Sequence, residues 1–186
     1  MEKYIYEVNQ DFHPINPRED DNFGRMVCFH KRYDLGDKHE MKADDFEGWE
    51  DLKSYLIKNE NAKVILPLYL YDHSGITMST KPFSCNWDSG QVGFIYCTES
   101  DMGLSFYGVD EERAQVLMEG EVETYDKYLC GEVYGFQVFE VSECNLGHEH
   151  KELIESCYGF YSEEDAEHEA LSLVNYYKQQ DLKVAI

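Results

Sequence analysis

Basic residues are scarce in this chain: 16 Lys and Arg stand against 38 Asp and Glu in 186 residues, for a formal net charge of −22. Nucleic acid and anionic membrane are therefore disfavoured as direct partners, because the polyanion would be repelled. No run of about 18 apolar residues exists, so no transmembrane helix is expected. There is no Gly-x-Ser-x-Gly elbow, phosphate loop, dinucleotide fingerprint or basic–aromatic patch, which removes the enzyme and nucleic-acid-binding classes those motifs mark. Internal repeats and low-complexity segments are also missing.

The six cysteines, Cys28, Cys85, Cys97, Cys130, Cys144 and Cys157, include no Cys-x-x-Cys pair. Several sit in strand-like apolar runs. An even number permits disulfides, but no secretory signal precedes the polar start Met1-Glu2-Lys3-Tyr4. The expectation is reduced, mostly buried thiols in the cytoplasm of a bacterium or of a viral host. No cofactor is indicated.

What the chain does have is a core. Hydrophobic residues make up 42%, with 15 Tyr and 10 Phe; a chain of this length buries roughly 70% of its unfolded surface. Aromatic rings are expected to fill much of that core, their hydroxyls reaching partners or water. The central stretch is Lys63 to Thr98. Val64 to Tyr71 reads as a buried strand, Ile76 to Thr80 as a short partner and Val92 to Cys97 as a further strand, with turns at Asp72–Gly75 and Asp88–Gly90. Pro67 cannot donate to a ladder, so the first strand must be bulged there or paired on one side only.

Elsewhere, Tyr4, Tyr6 and Val8 alternate as a first strand. Met26 to Tyr33 reads as a strand, with Met26, Cys28 and His30 on one face and Val27, Phe29 and Lys31 on the other. Asp44 or Asp45 can cap a helix running to about Glu60, and Ser100 to Val109 reads as loop. A second helix runs from Asp110 to about Leu129, and Glu132–Val141 with Leu153–Tyr161 forms a hairpin. Ser162 then caps a final helix whose inner stripe is Ala166, Ala170, Leu173, Val174 and Tyr177. The pattern gives a single α+β domain, a mainly antiparallel twisted sheet carrying about three helices, with a possible subdomain boundary near 99–110.

Several residue groups have the chemistry of a site. His30, Asp34, Asp37, His39 and Asp72 are metal-ligand types that could gather around a divalent cation at strand ends, and His30, Asp34, Asp37, Asp72 and His73 would suit a metal-dependent hydrolase or nuclease. Their spacing matches no recognised ligand pattern. Asp72-His73-Ser74 has hydrolase residue types, yet sequence neighbours point apart and cannot form a triad. Cys144, His148, His150 and Cys157 have zinc-ligand types in a non-standard spacing, and solvated turn histidines are the simpler reading.

The charge itself is the remaining feature. Residues 1–98 carry 17 acids and 11 bases, residues 99–186 carry 21 and 5. On the second helix, Glu112, Glu119, Glu123 and Asp126 fall on one narrow stripe, while Glu121 falls among the apolar positions without an account. Net −22 equals the charge of about 37 Å of duplex DNA at one charge per ~1.7 Å, close to the width of a domain this size, so mimicry of nucleic acid is physically possible.

Asn22 to Asp37, Val64 to Met78, Trp87-Asp88-Ser89-Gly90-Gln91-Val92-Gly93, Thr124 to Leu129 and Gly131-x-Val133-Tyr134-Gly135-Phe136 resemble the signature blocks of a small-protein family of phages and plasmids of Gram-positive bacteria. That family is associated with anti-CRISPR proteins, inhibitors of the Cas9 nuclease. The resemblance implies a non-enzymatic inhibitor acting in a bacterial host's cytoplasm on Cas9 or another effector with a basic groove. It assigns no contact residues and leaves room for a homodimer. An accessory protein-binding module without mimicry is a further alternative.

Overall fold

The computed structural model describes residues 3–85, 87–104 and 108–184. In chain order the elements begin with β1 (Tyr4–Gln10), β2 (Arg25–Cys28), α1 (Trp49–Asn59), β3 (Ala62–Asp72), β4 (Ile76–Ser79) and β5 (Ser89–Thr98). They continue with α2 (Glu99–Leu104), α3 (Glu111–Cys130), β6 (Tyr134–Glu143), β7 (Glu149–Phe160) and α4 (Glu163–Val184). The class is α+β. Its antiparallel strands form two sheets rather than one, and the chain divides into two compact units, residues 16–130 and residues 1–15 with 131–186.

In the larger unit the strand order is β2-β5-β3-β4, with helices on both faces. Strand alternation sorts the core: Met26 and Cys28 join Ile95 and Cys97 against Ala114, Met118, Val122 and Tyr125 of α3. Val27, Phe94 and Tyr96 face the other way, onto Leu52 and Leu56 of α1. Pro67 pairs with Phe94 of β5, while β4 reaches only from Tyr69 to Asp72, so the proline lies where β3 has one neighbour. That is the one-sided pairing its missing N–H requires. Gly93 is needed for close approach, since a Cβ there would lie 1.9 Å from the Val27 carbonyl oxygen.

Three of the boundaries that differ from the sequence expectation do so because a side chain captures the backbone. α1 starts at Trp49, not at Asp44 or Asp45: the Asp45 carboxylate accepts the Lys42 N–H and closes a separate 3-10 turn at Ala43–Asp45. β2 stops at Cys28 because His30 Nδ1 accepts the N–H groups of Arg32 and Tyr33. The stretch expected as loop opens with α2, where the Asp101 carboxylate accepts the Thr98 N–H at 2.8 Å; residues 105–107 of that stretch lie outside the described residues. α3 is as expected, its first turn closed by Arg113 N–H donating to Asp110 Oδ1 and its end set by Gly131 at φ 74°.

The smaller unit is a three-stranded sheet, order β1-β6-β7, with α4 on one face. Ala166, Ala170 and Val174 recur every fourth residue and are buried, the last two against Tyr4, Phe136 and Val138. The β6–β7 hairpin extends farther toward its turn than apolar alternation suggested, because Ser142, Glu143 and Glu149 to Glu152 join the ladder through backbone groups alone. Aromatic filling of the core is partial: Tyr4, Phe94, Tyr96, Tyr125 and Phe136 are buried, whereas Phe12, Trp87, Tyr158 and Tyr176 are exposed.

Candidate functional site

Helix α3 is the element that carries the acidic stripe, and its packing decides which carboxylates are left for a partner. Glu112 and Glu123 are exposed; Glu119 is half-buried and accepts a hydrogen bond from Gln115 Nε2 at 2.9 Å. None of the three makes an ion pair among the described residues, Lys127 four positions after Glu123 included. Asp126 turns the other way. Its carboxylate accepts the Met78 N–H of β4 at 2.6 Å, so the fourth member of the stripe serves the fold.

Glu121, which had no place in the sequence pattern, belongs to a clamp. Its carboxylate accepts the N–H groups of Phe23 and Gly24 and pairs with Arg18 Nη1 at 3.1 Å. The Arg18 side chain is 2% exposed. Its other guanidinium nitrogens hold Asp37 in a two-pronged bridge at 2.8 and 2.9 Å, and Nη2 also donates to the Gly24 carbonyl. A buried guanidinium with every edge occupied fixes the 16–24 segment between β2 and α3. The out-of-pattern Glu121 was the one sequence signal that pointed to it; Arg18 gave none.

A second concave region lies at the end of the same sheet, a cleft of about 730 Å³ lined by Phe29, His30, Arg32, Tyr33, Trp49 and Gln91. It is bordered by His30, Asp72, Trp87 and Asp88, with Trp87 96% exposed. This is where the expected hydrolase residues meet, in part. Arg32 forms an ion pair with Asp72, the Tyr33 hydroxyl donates to Asp72 at 3.3 Å, and His73 Nδ1 lies 3.2 Å from Asp88 Oδ2. Partial burial, and then the Arg32 charge, push the His30 imidazole below its ordinary value, so it is neutral at pH 7 and able to accept at Nδ1. Asp37 is not in this group, being bound to Arg18 and to the Met26 N–H at 2.8 Å. His39 is also apart: Nε2 lies 3.2 Å from the Cys28 carbonyl. Asp34 is exposed. Two of the three carboxylates expected for a metal-dependent hydrolase, Asp37 and Asp72, are thus engaged by arginines.

The cysteine–histidine group is not assembled either. Ser142 pairs with His150 near the hairpin turn, whereas Cys157 pairs with Phe136 well along the ladder, away from Cys144. Cys144 sits in the turn itself, its N–H donating to the His148 carbonyl at 3.0 Å. Backbone N–H groups of Leu146 and His148 aimed at its sulfur lower its pKa. Cys28 is the opposite case, its thiol pushed up to about 12 by burial.

No protein-family model, curated protein or solved structure matches the chain. Among the described residues no helix is long and apolar enough to cross a membrane.

Proposed function

We propose that the chain is a non-enzymatic inhibitor that presents carboxylates of α3 to a cationic, nucleic-acid-binding groove of another protein. The observation that carries this reading is the state of Glu112, Glu119 and Glu123: three carboxylates along about 17 Å of one helix, none in an ion pair among the described residues. Unpaired surface acids gain more from a basic partner than acids already bridged, because no internal pair must first be broken. The family resemblance of the 22–98 blocks suggests Cas9 as that partner, with DNA binding or cleavage blocked, in a phage- or plasmid-bearing bacterial host.

The test is binding of the purified chain to Cas9 with its guide RNA, at low and at high salt, with wild type beside a Glu112→Lys, Glu119→Lys, Glu123→Lys triple variant. Asp126 is left intact because it supports the fold. The expected result is one-to-one inhibition of DNA cleavage that persists in chelator, weakens with salt, and is lost in the triple variant while its circular dichroism stays native. Unchanged inhibition by the triple variant excludes the α3 face; multiple turnover would turn the reading toward catalysis.

A further inference from the structure

Both edges of the larger unit's sheet carry hydrogen bonds from outside the ladder, most of them from side chains. On β2 the Met26 N–H donates to Asp37 Oδ2 at 2.8 Å and the Met26 carbonyl accepts the Asp37 N–H at 3.0 Å. On β4 the Met78 N–H donates to Asp126, and the Ile76 carbonyl accepts from the Cys130 thiol at 3.3 Å. Blocking of this kind removes the backbone row that a foreign strand would use.

β7 is the contrast. It is twelve residues long, the last strand of its sheet, laddered to β6 alone, and ten of its twelve residues are exposed. At about 3.3 Å per residue that is roughly 40 Å of edge. Among the described residues the one side-chain hydrogen bond to its backbone is from Cys157 to its neighbour's carbonyl, at Tyr158. The Cys144 N–H bonds the His148 carbonyl and the Val141 N–H points instead to Lys3 of the first strand's side. Alternation along the ladder then leaves Val141–Lys151 and Phe139–Leu153 as pairs without mutual bonds, so the N–H groups of Lys151 and Leu153 face outward.

We propose that this outer edge accepts an extended, lysine- or arginine-rich segment of a partner protein as a fourth strand. The charge selects the occupant. Glu149, Glu152 and Glu155 are exposed along β7, and its single cation, Lys151, is bound to Glu7 at 3.0 Å. A second copy of β7 would set three glutamates against three and gain no free cation, which disfavours self-pairing. Leu153 and Tyr158, both about half exposed, offer apolar contacts to alternate side chains of an incoming strand. The site is on the smaller unit and stands or falls apart from the α3 reading.

The experiment uses the full chain and a short synthetic peptide alternating lysine and valine, with an alternating glutamate–valine peptide as control. Fluorescence anisotropy reads binding, and amide hydrogen exchange reads its location. Expected are binding of the lysine peptide alone, slowed exchange at Lys151 and Leu153, and about tenfold weaker binding in Leu153→Pro, which removes one outward donor and no ladder bond. A Glu149→Lys, Glu152→Lys variant, which leaves the backbone edge intact, should also bind the lysine peptide more weakly. The proposal is overturned by no slowing at these amides, by equal binding of the glutamate peptide, or by full binding in the charge-reversed variant. Slowing that grows with protein concentration and no peptide would make the occupant a second copy instead.

Discussion

The Asp126 carboxylate, on the side of α3, accepts the backbone N–H of Met78 at 2.6 Å on the outer edge of β4. One acidic side chain thus fastens helix to sheet and occupies a donor that would otherwise invite another strand. Asp126→Ala leaves that partly buried N–H without its acceptor and is expected to cost about 1–3 kcal/mol in urea unfolding, with Asp126→Asn costing less because an oxygen remains. Equal stability of Ala and wild type would show that the contact contributes nothing.

Removing the guanidinium at Arg18 strands two carboxylates around a buried gap. Arg18→Met is expected to lose about 3–5 kcal/mol, and Arg18→Lys to recover only part of it because one ammonium cannot serve Asp37, Glu121 and Gly24 together. A double-mutant cycle of Arg18→Met with Glu121→Gln should return a coupling energy of about 0.5–3 kcal/mol. Strict additivity would mean that the two residues stabilise the loop separately.

Asp101 links acidity to local stability. Burial alone would raise its carboxyl, but hydrogen bonds from Arg25 and from the side chain and backbone of Thr98 outweigh it and hold the pKa below the ordinary value. A depressed folded-state pKa contributes stability that is complete above the unfolded value, about 4, and is lost as pH falls through the folded one. Protection of the amides in α2 should therefore decline as the solution is acidified below about pH 4. In Asp101→Asn that part of the decline should vanish; an unaltered acid profile would assign it to other groups.

Thiol chemistry separates the cysteines. At neutral pH an alkylating agent should modify Cys144 before Cys28 and Cys97, since backbone donors favour the Cys144 thiolate while burial disfavours the other two. Mass spectrometry after brief labelling checks the order. Modification of Cys28 at the rate of Cys144, without denaturant, would contradict the burial of the core beneath α3.

How much of this was visible in the residues can be judged element by element. α3, α4 and the three strands of the central meander follow from apolar spacing, since each buries one regular face and its periodicity survives in the sequence. The early end of β2 and the late start of α1 were hidden because His30 and Asp45 win the backbone by hydrogen bonds that hydropathy does not register. The acidic stripe was legible as geometry, but the inward turn of Asp126 depended on which strand lay beside it. Likewise Asp37 is a plausible metal ligand until Arg18, nineteen residues earlier, is found wrapped around it.

Pairing of Tyr4 with Glu140 and of Gln10 with Tyr134 means that β1 leaves the ribosome well before the strand it pairs with. Residues 16–130 form a separate compact unit and can settle in the meantime. Until β6 has been made, β1 is an unpaired strand with a large loop-closure entropy still to overcome. For β1 the order of manufacture and the order of assembly run in opposite directions, and a chaperone binding nascent chains would meet a long-lived target there.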